Sequence, residues 1–217
     1  MKAVLCKKLG PPEDLVVEDI PSLVPNAGQV VVAVKAAGVN FPDTLIIQGK
    51  YQFKPEPPFS PGGEVAGVVK ELGANVTGVK VGDRVIAAAT CGGFAEEMRG
   101  DADRLAPIPD AMDFVPASAF LLTYGTSYHA LKDRAHLKPG ETLLVLGASG
   151  GVGLAAVQLG KAMGARVIAA ASSDAKLDVC RQNGADDVIN YASDDLRSRV
   201  KALTAGKGVD VIYDPVG

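Results

Sequence analysis

The chain has 217 residues, 47% hydrophobic and 22% charged, with a formal net charge of −3 and a mean hydropathy of +0.18. That length and apolar content suit one large domain or two small ones with real cores. A mildly acidic chain without blocks of like charge gives no electrostatic reason to expect nucleic acid or an anionic membrane as partner.

No run reaches the roughly 18 apolar residues of a membrane span, and MKAVLCKKLG is neither signal peptide nor anchor. Cys6, Cys91 and Cys180 lie far apart without CxxC spacing. They read as reduced thiols of a cytoplasmic protein rather than a disulfide framework.

In chain order, the first part predicts short strands cut by Gly and Pro: Ala3–Lys7, Leu15–Asp19, Gln29–Ala37, Val65–Glu71 and Arg84–Ala89. VVVAVKAAGV is β-branched and partly alternating, as a strand with one buried face should be, and VTGVKVGDRV reads as a bend leading into a strand. This half predicts a small, mainly antiparallel barrel or sandwich. Composition changes at Pro116, where PASAFLLTYGTSYHALKD predicts a helix with its proline near the first turn. After KPGE come TLLVLG, GLAAVQLGKAMG, ARVIAAAS, DAKLDVCRQNG, ADDVINY, a polar helix and VDVIYDPVG. Short apolar strands alternating with helices predict a parallel sheet.

The stretch LGASGGVG sits in the first strand-to-helix turn of that sheet. There, backbone N–H groups and the positive helix end point at whatever lies above. Gly150 is expected to permit the tight turn, while Gly151 and Gly153 admit a diphosphate and pack the helix closely on the strand. Ser149, Gly150, Gly151, Val152 and Gly153 are therefore candidate cofactor-binding residues. The first glycine of the GxGxxG spacing is replaced by Ala148. A glycine-rich turn without ligand is the alternative, disfavoured by the flanking strand and helix and by a second strand about 20 residues on. No Lys-Ser or Lys-Thr pair follows the glycines, which excludes a Walker loop.

A site for NAD usually places Asp or Glu at the end of the second strand. Positions 169 to 173 are Ala, Ala, Ala, Ser, Ser. Ser172 and Ser173 can donate to a 2′-phosphate and Lys176 can supply positive charge, which favours NADP(H). The alternative for Lys176 is a solvated helix lysine. Asp174 reads as the N-cap of the next helix.

AAGVNFPDTLIIQGKY, PFSPGGEVAGVV, VGDRV, YGTSYHAL, GASGGVG, GADDVINY and DPVG run in unbroken order along the chain. In these the chain resembles the quinone oxidoreductase (zeta-crystallin-like) branch of the medium-chain dehydrogenases and reductases. The resemblance implies a GroES-like β domain over 1–120 and the first half of a Rossmann domain, a doubly wound parallel sheet, over 121–217. It places an active site in the cleft between them. Zinc enzymes of this superfamily carry Cys where this chain has Asn40, His where it has Gly63, and a third ligand near Leu122. Their Cys-rich lobe is reduced here to ATCGGF. Zinc needs three or four Cys, His or carboxylate ligands, so no metal site is expected. His129 reads as a packed or capping histidine.

In the resembling enzymes a hydride passes to a quinone or to the β-carbon of a conjugated carbonyl. By the resemblance, Asn40 contacts the nicotinamide or the acceptor, the alternative being an amide that satisfies a turn. Tyr51 matches a tyrosine at the cleft mouth, Thr126 a threonine beside the nicotinamide, and Tyr191 an aromatic position beside the adenine-ribose phosphate. Leu45 stands where some quinone reductases carry tyrosine, and FKPEPPF is a candidate lid. The expected function is zinc-independent, NADPH-dependent reduction of small-molecule quinones or enones. The alternatives are an acryloyl- or enoyl-thioester reductase and a non-catalytic NADPH-binding protein. Chains of that family run on well past Gly217. The 217 residues therefore read as a fragment, weakly active or inactive alone, of a protein that is a homodimer at full length. Val209, Val211, Ile212 and Tyr213 are expected at a naked apolar edge.

Overall fold

A computed structural model describes residues 1–217, which divide into two compact units, Met1–Leu121 and Leu122–Gly217.

The first unit contains β1 (Lys2–Leu5), β2 (Val16–Asp19), β3 (Gln29–Gly38), α1 (Phe41–Ile46), β4 (Glu64–Leu72), β5 (Arg84–Ala88), β6 (Glu97–Asp101), β7 (Ala106–Pro107) and α2 (Phe114–Ala117). β3 to β7 form an antiparallel sheet in the order β6-β3-β4-β5-β7, and β1 pairs with β2 beside it. One face buries Val30, Val32, Val65, Val69, Val85 and Met98, while Ala66, Ile86, Ile108 and Ala117 pack on the other. Val31 is buried as well, so β3 is covered on both sides and its apolar alternation is only partial. β3 carries irregularities at Val31/Val32 and Val34/Ala36, which bend the sheet.

β6 and β7 have no counterpart among the predicted strands. EMRGD is polar, and its buried Glu97 is compensated by side chains from elsewhere. Neither feature has a period that sequence reading detects.

The second unit contains α3 (Thr126–Tyr128), β8 (Thr142–Val145), α4 (Gly151–Ala162), β9 (Arg166–Ala171), α5 (Asp174–Gln182), β10 (Asp187–Asn190), α6 (Leu196–Leu203) and β11 (Val211–Tyr213). The four strands form a parallel sheet in the order β10-β9-β8-β11. One face carries Leu143, Val145, Ala156, Val157, Val167 and Ala169, and the other Leu144, Ile168, Ala170 and Ile189. Burial on both faces explains the continuous apolar runs.

Two expectations are corrected here. The helix predicted over PASAFLLTYGTSYHALKD is not one element. α2 ends at Ala117 with Pro116 at its third position, and wide π-helical turns at Leu121–Gly125 and His129–Arg134 flank α3. Such turns are rare and concentrate at functional sites. β11 is the edge strand of the sheet, as expected, but its side chains are less bare than expected. Val211 and Val209 pack on opposite faces of the sheet and Tyr213 is buried, leaving Ile212 at 60% exposure.

Candidate cofactor and substrate site

In the turn after β8 the left-handed residue is Gly147, at φ +55°. Gly150 occupies the N-cap of α4 in extended backbone, φ −75° and ψ 167°, which any residue adopts. The tight turn therefore rests on Gly147 and not, as expected, on Gly150. Gly153 permits the close approach. A Cβ there would overlap the Gly147 carbonyl oxygen and lie 2.9 Å from the Ala148 Cα. A Cβ on Gly151 would lie 3.2 Å from the Thr123 methyl. The first N–H groups of any α-helix lack intrahelical acceptors. Gly151, Val152 and Gly153 begin α4, with Ser149 in the turn before them, so donors and positive helix end converge there.

Buried Ser127 fixes that end of α4. Its hydroxyl donates to the Val152 carbonyl at 2.7 Å and lies 3.1 Å from the Tyr213 hydroxyl. A carbonyl only accepts, so the single Ser127 proton goes to Val152 and Tyr213 donates to Ser127.

At the ends of β9 and β10, Lys176 Nζ donates to Ser172 Oγ at 3.1 Å. Ser173, and not Asp174, is the N-cap of α5, and its side chain makes no cap hydrogen bond. Asp174 is instead the first helical residue, its Oδ1 accepting from Asn190 Nδ2 at 3.0 Å. Tyr191 follows β10 with its ring exposed and its N–H bonded to the Ala171 carbonyl at 3.1 Å. Ser172, Ser173, Lys176 and Tyr191 thus gather at one corner of the second unit.

Asn40 is the N-cap of α1, and its Nδ2 is buried without a hydrogen-bond partner. Its backbone N–H donates to Asp43 Oδ2 at 2.8 Å. Asp43, 5% exposed, also accepts from the N–H groups of Gly62 and Gly63. Burial pushes its carboxyl above the ordinary range, although all three donors pull the other way. Tyr51 packs against Cys6, Ile46, Ile47 and Phe59. Asn40 and Tyr51 thus flank α1 in the first unit, while Thr126 opens α3 in the second, exposed to solvent.

His129 is neither packed nor capping: it is exposed, with Nδ1 2.9 Å from Asp133 Oδ2 one turn on. No group of three or more His, Cys, Asp or Glu side chains is placed to hold a metal ion. Sequence reading missed Asp43, Glu64, Ser127 and Asn190. Asp43 had a signal, standing three residues after an N-cap asparagine. Glu64, 1% exposed and accepting from the Leu121 N–H, had none.

Residues 26–110 match the alcohol dehydrogenase GroES-like domain and residues 151–217 the zinc-binding dehydrogenase family. A GroES-like β unit followed by a parallel sheet with a glycine turn defines a medium-chain dehydrogenase/reductase. The quinone oxidoreductase-like protein 2 homolog of Nematostella vectensis is 45% identical over all of this chain and 59% of its own length. A probable oxidoreductase from Mycobacterium abscessus has 43% identity and a TM-score of 0.94, covering 100% of this chain and 69% of that one. Escherichia coli quinone oxidoreductase complexed with NADPH has 38% identity and a TM-score of 0.94, covering 100% and 67%. The chain belongs to the quinone oxidoreductase branch of the medium-chain dehydrogenases and reductases. It spans 59% to 66% of the length of the curated relatives it matches.

Proposed function

We propose that the protein is an NADPH-dependent oxidoreductase that reduces quinones or α,β-unsaturated carbonyls without zinc. The observation that carries this reading is the Lys176–Ser172 pair at the end of β9, where no carboxylate occupies positions 169 to 173. A 2′-phosphate is attracted there, and nothing repels it from the strand end itself. The residues of the second unit suit the phosphate-bearing parts of the nucleotide. The donors at the start of α4 suit the diphosphate, and the buried Asn40 Nδ2 is a donor awaiting an acceptor.

NADPH, when bound, supplies the hydride. In this reading Asn40 and Thr126 orient the nicotinamide, Ser149 to Gly153 hold the diphosphate, and Ser172, Ser173, Lys176 and Tyr191 hold the phosphorylated ribose. Tyr51 donates to the acceptor oxygen or stacks on its ring. The acceptor is already electron-poor, so placement and one donor suffice where a zinc enzyme uses a Lewis acid. Asn40, Gly63 and Leu122 supply no zinc ligands. Residues 1–120 serve as substrate domain and 121–217 as nucleotide domain, in a cytoplasmic homodimer.

The test is NADPH consumption against quinones, enones and acyl thioesters, with these 217 residues and with the longest form of the protein its gene encodes. Turnover is expected with quinones or enones in the longest form. Preference for thioesters, or tight binding of NADPH without turnover of any acceptor by the longer form, contradicts the reading.

A further inference from the structure

Asp174 is an acid beside the proposed ribose-phosphate corner. It opens α5 directly after Ser172 and Ser173, and a carboxylate in that first turn competes for the positive groups a 2′-phosphate would use. Those groups are Lys176 Nζ and the first-turn N–H groups of α5, which Ser173 leaves without a side-chain cap. We propose that Asn190 is a specificity-determining positioning residue that holds Asp174 out of this competition. The proposal rests on the NADPH reading above.

The geometry of Asn190 is fixed from both sides. It pairs in register with Ala171, the last residue of β9, which brings its side chain beside the start of α5. Its Oδ1 accepts from the Ala192 N–H at 3.1 Å, and its carbonyl accepts from the Asp194 N–H at 2.8 Å. An N–H only donates, so the amide oxygen must face Ala192 and the amide nitrogen is left for Asp174. The resulting Nδ2 to Oδ1 bond, 3.0 Å long, ties the carboxylate to the end of β10. Lys176 meanwhile bonds to Ser172 and not to Asp174, two positions before it. Without Asn190 the carboxylate is free to rotate over the helix terminus, where first-turn acids are favoured.

The test measures dissociation constants for NADPH and NADH by nicotinamide fluorescence, in a chain that contains no tryptophan to obscure it. Asn190→Ala should weaken NADPH about three- to tenfold, the scale of one partly exposed charge interaction, and leave NADH within about twofold. Adding Asp174→Asn should restore NADPH affinity, because the released side chain no longer carries charge. Asp174→Asn alone should leave the preference intact or increase it. If Asn190→Ala leaves the NADPH-to-NADH ratio unchanged, the inference falls while the nucleotide reading stands. If the double variant is as weak for NADPH as Asn190→Ala, Asn190 acts through the fold and the inference also falls. Equal affinity of the unaltered chain for both nucleotides overturns the nucleotide reading, and the inference with it.

Discussion

Buried carboxylates in the first unit take their protonation behaviour from their neighbours. Burial alone would raise the Glu97 carboxyl. Lys70 Nζ at 2.5 Å, the Leu23 N–H at 2.9 Å and the Ser22 hydroxyl at 3.3 Å outweigh it and hold the carboxyl below the ordinary value. A lowered folded-state value gives stability that is full above the unfolded value and lost as pH falls through the folded one. Glu97→Gln should therefore flatten the acid limb of the stability curve, measured by urea unfolding between pH 7 and acid, and cost about 1–2 kcal/mol at neutral pH. An unchanged acid limb would show that Glu97 is not responsible. Asp43 has the opposite sign, because burial raises its carboxyl and so penalises the charged form. The glycines separate similarly. A Cβ on Gly150 makes only ordinary contact, 3.4 Å from the Gly147 oxygen, in backbone open to any residue. Gly150→Ala should leave stability within about 0.5 kcal/mol yet weaken NADPH, because the proposed function has the diphosphate approach the turn there. Gly153→Ala should instead cost about 1–3 kcal/mol by overpacking. Thermal melts and nucleotide titration of both variants check the contrast.

Among the elements, the second unit was largely legible in the sequence. VIAAA and LLV are buried on both faces, and short apolar runs bounded by Gly and alternating with helical segments read as central strands of a parallel sheet. The segment after Pro116 was not legible, because its apolar residues keep a helical period while the backbone widens into π-helical turns. What α3 does is set by a tertiary contact no local pattern reports, the Ser127 bridge from Val152 to Tyr213. Ser127→Ala removes the donor to Val152 and strands the buried Tyr213 hydroxyl, so it should destabilise the second unit by about 1–3 kcal/mol. Tyr213→Phe leaves the Ser127–Val152 bond in place and should cost less. Chemical denaturation of the two variants checks the order, and an equal or reversed cost would contradict the proton assignment. In the candidate site, Lys176, Ser172 and the glycine turn were visible as a motif. Asn190 was not, since its partner Asp174 is set by strand register rather than by spacing.

At the scale of the molecule, a GroES-like β unit and a nucleotide-type parallel sheet are each built around their own cores. The metal question belongs to this scale, since a zinc enzyme of this superfamily would lose stability with its metal. Incubation with a strong chelator should leave the melting temperature and nucleotide affinity unchanged. A fall in either, reversed by zinc, would contradict the proposed metal independence. The central claim is that the corner formed by Ser172, Ser173, Lys176 and Tyr191 reads a 2′-phosphate. Fluorescence titration of NADPH and NADH against the unaltered chain and Lys176→Ala tests it most directly. The account predicts tighter binding of NADPH, a loss of roughly 1–2 kcal/mol of that affinity in the variant, and little change for NADH. Equal affinities for the two nucleotides, or a variant that weakens both alike, would contradict it.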